Sequence, residues 1–219
     1  SGFTSICQMS NIRCGRVKDL TKPSVVGVGV TGTKYKPVNL NGCGEYETDY
    51  AYKIWRGILE RCFLDKRQEQ QPTYKGCTVS ENFKSYEFFY EWCQDQVGYR
   101  EDGFELDKDL LVKGNKIYSE STCCFIPKEI NTALTKRGND RGDHPIGVYW
   151  NKKCRSYIAK ISEGGSRRYL GLFDSPTDAF QAYKMAKEQY LESLAVKWKD
   201  NISNKVYDAL LSYEVSIDD

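Results

Sequence analysis

Between Pro145 and Phe173 the sequence sets six basic side chains, Lys152, Lys153, Arg155, Lys160, Arg167 and Arg168, against one acid, Glu163, a local charge of +5. Tyr149, Trp150 and Tyr157 are interleaved with them. Lysine and arginine supply contacts to phosphate, arginine also reads guanine edges, and aromatic rings pack on sugars and thymine methyls. So little opposite charge points to a polyanionic partner, and double-stranded DNA is the expected one; the plainer alternative is an ordinary solvated sheet face. Residues 196–219 carry three lysines against five acids, a local charge of −2. The chain is therefore polarised, a basic module followed by an acidic tail.

The other reactive residue types carry less. Nine cysteines include no CxxC pair, and an odd number cannot all pair within the chain. They read as reduced thiols, mostly small buried hydrophobes, and a zinc site falls outside the usual ligand spacings. The single histidine, His144, sits in a polar connector. With 219 residues, 40% of them hydrophobic, the chain can build real cores without metal or disulfide staples. No apolar run approaches the ~20 residues of a membrane helix. The opening SGFTSICQMS lacks the basic start and long apolar stretch of a signal peptide, so the expected location is the cytoplasm.

The elements that must position these residues follow from periodicity. Residues 1–46 read as a partly irregular arm, with VVGVGV (25–30) as a short strand. Trp55, Ile58, Leu59, Cys62 and Phe63 form one apolar stripe and predict a helix over Tyr52–Phe63. A second helix is expected from Glu81 to Gln96, burying Phe83, Tyr86, Phe89, Tyr90 and Cys93. Residues 104–112 read as a strand, 113–115 as a turn, 116–118 as a second strand and 123–134 as a helix with Pro127 in its first turn. The segment TKRGNDRGDHP (135–145) reads as a linker. Beyond it come two strands around a turn at 151–153, a hairpin turn at 163–166 and a strand at 167–173. Ser175 and Pro176 then open a helix that buries Ala179, Phe180, Tyr183, Ala186, Tyr190 and Leu191. Residues 202–213 form a candidate final helix.

The segment GVYWNKKCRSYIAKISEGGSRRYLGLFDSPTDAFQAY resembles the plant ethylene-response-factor (AP-two) DNA-binding domain, which also occurs in phage homing endonucleases. The likeness rests on the Gly-Val opening, the Trp, the basic-aromatic second strand, Tyr-Leu-Gly-x-Phe and Ala-Phe-x-Ala-Tyr. It implies a three-stranded sheet lying in the major groove with a helix packed behind it. The expected DNA-binding set is Tyr149, Trp150, Lys152, Lys153, Arg155, Tyr157, Lys160, Arg167 and Arg168.

The segments YKIWRGILERCF, YKGCTVSENF and LDKDLLVKGNKIYSESTC resemble phage proteins of the HNH endonuclease type, over roughly residues 25–135. That family folds as two strands and a helix around one divalent metal. A strand carboxylate and a helix Asn hold the metal, and a His beside the carboxylate acts as general base. The resemblance places the catalytic set on Asp107, Lys108 and Asn131, with Asp107 and Asn131 binding Mg²⁺ or Mn²⁺. Lys108 occupies the general-base position, where a protonated lysine cannot accept a proton unless burial depresses its pKa. His144 is an alternative base beyond the helix. Asp109 could share the metal or pair with Lys116, Asn115 reads as a turn residue, and Glu120 lies nearby in sequence.

The fold expected is α+β: an HNH-like module at 47–137 with flanking helices, then an AP-two-like domain at 145–195 with its small antiparallel sheet on one helix. Residues 196–219 are expected as an acidic tail, helical in part. The leading function is a phage DNA-binding HNH-like endonuclease of homing or DNA-processing type, acting in the host cytoplasm. Two alternatives are a catalytically inactive DNA-binding protein, and an interaction protein that engages a host defence or DNA-processing factor. Composition leaves the oligomeric state open and offers no membrane partner.

Overall fold

The computed structural model of the chain describes residues 4, 9–14, 18–135 and 144–219. Most of the linker expected at 135–145 lies outside the described residues. The chain divides into two compact units, residues 1–100 with 112–124, and residues 101–111 with 125–219. Small sheets mix with helices throughout, an α+β arrangement. No helix among the described residues is long and apolar enough to cross a membrane.

In the first unit a short helix α1 (Met9–Arg13) precedes a hairpin of β1 (Val38–Leu40) and β2 (Tyr46–Thr48). The expected strand at 25–30 is a tight turn: Val25 bridges Gly29, and Val26 and Gly27 have φ of 51° and 75°. Helix α2 (Tyr50–Phe63) is capped by Asp49, whose side chain accepts from the Tyr52 N–H, and it buries Ala51, Trp55, Ile58, Leu59 and Cys62. The surface helix α3 (Asp65–Gln70) follows, then β3 (Thr78–Val79) and α4 (Tyr86–Gln94), capped by Ser85. The expected second helix therefore starts later than Glu81, because Ser85 takes the Phe88 N–H and ends a short 3-10 turn at 82–84. Trp55 donates its indole N–H to the Phe83 carbonyl at 2.7 Å, tying α2 to that turn.

The middle segment differs from the expected hairpin. Strand β4 (Phe104–Asp107) stops five residues short of Val112, and β5 (Ile117–Tyr118) pairs in parallel with β3 of the first unit. The partner of β4 is β6 (Cys124–Pro127), a stretch read from sequence as helix. All four of its residues are buried, so no polar alternation marked it as a strand. Pro127 disfavours helix in the residue before it, and α5 (Lys128–Leu134) begins only beyond it. Along the chain the order is strand, strand, strand, helix, and the expected second strand, β5, lies in the long stretch between the paired strands β4 and β6.

The C-terminal half follows expectation more closely. Strands β7 (Val148–Asn151), β8 (Ser156–Glu163) and β9 (Ser166–Phe173) form an antiparallel sheet in the order β7-β8-β9. Helix α6 (Pro176–Trp198) packs beneath it, capped by Ser175 with Pro176 in its first turn. Val148, Ala159 and Ile161 from the strands meet Ala179, Phe180, Tyr183 and Ala186 in one core. Gly147, with φ of 78°, lets β7 start against Tyr183: a Cβ there would lie 2.0 Å from the ring.

The expected acidic tail is a structural part of the second unit. Helix α6 runs to Trp198, three residues past the expected domain end, and α7 (Asn204–Leu211) follows. Ile202, Val206, Leu210 and Val215 are buried, and Val215 belongs to the core under the sheet. The surplus acids mark the solvent face of this segment, while its apolar spacing sends the other face inward.

Candidate nucleic-acid interface and carboxylate site

Strand alternation decides which basic residues share a face. On β8, Tyr157, Ala159 and Ile161 point toward α6, so Ile158, Lys160 and Ser162 point away. Residues directly opposite in an antiparallel pair lie on the same face. Tyr149 is opposite Ile158, Tyr169 opposite Lys160, Arg167 opposite Ser162, and Leu172 opposite Ile158. The outer face is thus built from Tyr149, Lys160, Arg167, Tyr169 and Leu172. Tyr149, Tyr169 and Leu172 are 50%, 54% and 47% exposed, a large apolar surface for strands that also carry cations.

Three members of the expected binding set lie elsewhere. Arg168 is opposite Ile161 and so sits on the helix side, where its guanidinium makes a bidentate pair with Glu163 at 2.7 and 3.0 Å. That pair holds the Arg168 guanidinium charge more firmly still and consumes the one acid of the segment. Trp150 is opposite Tyr157, and their rings meet at a tilt, centroids 4.8 Å apart, on the helix side, with His144 edge-on to Tyr157 at 5.3 Å. His144 therefore packs beside the sheet. A bulge explains why alternation alone misplaced Arg168: Ala159 pairs Gly171 but Lys160 pairs Tyr169, so Leu170 is skipped and the faces of β9 exchange. Tyr169 and Leu172 are the outer-face residues that sequence reading missed, because their facing depends on that bulge.

Lys152, Lys153 and Arg155 stand exposed in the turn between β7 and β8. Asn151 shapes the turn by accepting from the Lys153 N–H at 3.0 Å, and Arg155 takes a φ of 50° to close it. Three cations are thereby offered at one end of the sheet, beyond the Lys160 and Arg167 face.

The carboxylate site lies on β4 and α5 in the second unit. Glu105 and Asp107 are two apart on one strand and share a face. Asn131 of α5 donates Nδ2 to Glu105 Oε2 at 2.6 Å, so the helix amide and the strand carboxylate meet. Asp107 Oδ2 accepts from the Asp109 and Leu110 N–H groups at 2.8 and 2.7 Å, which folds the loop leaving the strand. Burial holds the Asp107 carboxyl above the ordinary aspartate range, against the pull of those two N–H groups. Tyr213, after α7, is pushed up to about 12 by burial, with Asp219, Tyr183, Asp107 and Asp109 adding to the rise. The C-terminal segment thus reaches the neighbourhood of the site.

Lys108 does not suit a general base. It is 6% exposed, and its ammonium is paired with Asp109 Oδ1 at 2.5 Å. An ammonium held by a carboxylate donates hydrogen bonds and has no lone pair to accept a proton. Asp109 is engaged in that pair and not with Lys116, which donates to the Thr73 carbonyl in the first unit. Asn115 is a turn residue as expected, bonded through both amide atoms to Ile117. Glu120 belongs to the first unit; burial works against its charge, but hydrogen bonds from its own backbone N–H, from Asn82 at 2.6 Å and from Ser80 at 3.0 Å together bring its pKa below the usual range.

The oxygens of the Asp107 carboxyl and the Asn131 amide are of the kind that suits a hard cation such as Mg²⁺ or Mn²⁺, which keeps several waters and takes few protein ligands. Among the described residues no group of three or more His, Cys, Asp or Glu side chains gathers for a metal. A site built on these two oxygens would be sparse, completed by water and phosphate. Glu105 was not singled out in the sequence because its contact with Asn131 depends on α5 reaching back to β4. Among the described cysteines, Cys62, Cys77, Cys93, Cys123 and Cys124 are buried thiols, in keeping with their reading as small hydrophobes. No protein-family model, curated protein or solved structure matches the chain.

Proposed function

We propose that the chain binds double-stranded DNA through the outer face of the β7-β8-β9 sheet and the turn between β7 and β8. The observation that carries this reading is the register, which collects Lys160, Arg167, Tyr149, Tyr169 and Leu172 on the face turned away from α6. Lys152, Lys153 and Arg155 extend the cationic surface. Cations neutralise phosphates, while the exposed rings and Leu172 offer apolar contact to sugars and thymine methyls. The AP-two resemblance of the same segment agrees with a sheet docked in the major groove.

A second activity is proposed at the carboxylate site, favoured by the Asn131–Glu105 contact: metal-dependent cleavage or nicking of a phosphodiester, as the HNH resemblance implies. Asp107 and Asn131 would hold Mg²⁺ or Mn²⁺. The bound cation would orient the scissile phosphate and stabilise the leaving oxygen. Glu105, exposed beside that pair, takes the role that Lys108 cannot fill: its Oε1 accepts a proton from the attacking water. Asp107, held by two backbone N–H groups, fixes its carboxylate at the strand end.

Plasmid nicking with Mg²⁺ and with Mn²⁺ tests this second activity. The parent chain nicks, Asp107→Ala and Glu105→Gln lose activity by about 100-fold or more, and duplex binding is unchanged. A parent that binds duplex DNA but leaves plasmid intact with both cations contradicts the cleavage and leaves the binding standing.

A further inference from the structure

A groove of about 1000 Å³ opens within the second unit between α5, the exposed edge of the sheet and α6. Among the described residues, Lys128 of α5, Lys160 of β8, Arg167 of β9 and Lys187 of α6 stand on its walls. Among the described residues the acid lining it, Glu129, is already engaged, its Oε2 accepting from Lys197 Nζ at 2.5 Å and Trp198 Nε1 at 3.0 Å. Lys187 is half-buried and donates to the Ala133 carbonyl at 2.5 Å, and burial lowers its pKa to about 8. The groove is therefore electropositive and has room for an anion of some size.

Its position narrows the choice of ligand. Tyr149, Lys160 and Arg167 line the groove and also belong to the outer face of the sheet. A strand leaving that face over residues 160–163 of β8, beyond the ladder with β7, would enter the groove without leaving cationic surface. Pockets that hold small organic ligands run to roughly 300–1000 Å³, so a few nucleotides of one strand fit this volume and a duplex does not. Tyr149 offers a half-exposed ring, and an aromatic face stacks with any base.

We propose that this groove binds a short single-stranded DNA segment, with phosphates on Lys128, Lys160 and Arg167 and a base stacked on Tyr149. The inference rests on the reading of the sheet as a DNA-binding face and extends it: duplex lies on the sheet, and an unpaired strand continues into the groove beside α5. Single-stranded sites of this kind combine a positive track along the backbone with stacking platforms.

Fluorescence anisotropy with a labelled oligothymidylate of about 12 nucleotides, beside a duplex of equal length, tests the groove. The variants are Thr132→Trp, which fills the groove from an exposed position on α5, and Lys128→Glu, which reverses a wall charge. Each is expected to weaken oligothymidylate binding by about tenfold and duplex binding by less than about twofold, whereas Arg167→Ala weakens both. Unchanged oligothymidylate affinity in both groove variants, or a parent that does not bind the oligothymidylate, overturns the groove even if duplex binding is tight. Loss of oligothymidylate binding in the variants of a chain that ignores duplex keeps the groove and overturns the duplex reading.

Discussion

Asp107 closes β4 with Oδ2 taken by two backbone N–H groups and its carboxyl pushed up by burial. A group whose folded pKa is raised binds more protons in the folded than in the unfolded chain, so stability falls as pH rises from the ordinary aspartate value through the raised one. At neutral pH the ionised side chain is a net cost that an amide would not carry. Asp107→Asn keeps an oxygen acceptor for the Asp109 and Leu110 N–H groups, and it is expected to stabilise the fold at pH 7 by roughly 0.5–2 kcal/mol. Asp107→Ala leaves those N–H groups without their partner and is expected to destabilise it by about 1–3 kcal/mol. Thermal unfolding of the three chains at pH 7 and near pH 4 measures this, with the Asn advantage shrinking at the lower pH. An Asp107→Asn chain less stable than the parent at pH 7 would mean that the ionised carboxylate is a structural requirement. Costly ionised side chains are most at home at functional sites, which is the link from this residue to the proposed chemistry.

At the scale of elements, α7 and the residues after it decide whether the second unit holds together. Leu210 is buried while its neighbour Leu211 is exposed. Leu210→Ala is expected to cost about 2–5 kcal/mol by opening a cavity, and Leu211→Ala within about 0.5 kcal/mol. Denaturant midpoints of the two variants check this, and equal midpoints would show the segment to be a tail after all. The apolar stripe of α2, the three C-terminal strands and the caps of α6 were legible in the sequence because each is fixed by local spacing. The pairing of β5 with β3 was not, since two residues carry no periodicity and their partner lies about forty positions away. Strand β6 was hidden for a different reason: buried on both sides, Cys124–Pro127 shows the continuous apolar run that helix and strand share. Of the candidate site, residue types were legible and facing was not. Arg167 and Arg168 are adjacent and alike, and the bulge skipping Leu170 sends one outward and the other to Glu163.

Across the second unit, four surfaces lie within one compact body: the outer sheet face, the turn of Lys152, Lys153 and Arg155, the groove beside α5, and the carboxylates of β4. Helix α6 links them. Its first half packs under the sheet, Lys187 reaches the end of α5, and at its far end Lys197 and Trp198 hold Glu129 while Trp198 meets the Phe104 ring at 5.9 Å. One helix thus positions the proposed DNA-reading sheet relative to the proposed cleaving centre. The modest net charge of +2 hides this because the acids are spread elsewhere, and only their location tells a polyanion-binding surface from an ordinary one.

The most direct test of that account is duplex-DNA affinity across a salt series, read by anisotropy for the parent, Arg167→Ala and Arg168→Ala. With five outward cations engaged, log K for the parent is expected to fall with log salt at a slope of about −4 to −5. Arg167→Ala should weaken binding and flatten that slope by about 1, while Arg168→Ala, whose guanidinium is spent on Glu163, leaves both nearly unchanged. A parent that binds with no salt dependence, or an Arg168→Ala variant that loses as much as Arg167→Ala, would contradict the assignment of the outer sheet face to DNA.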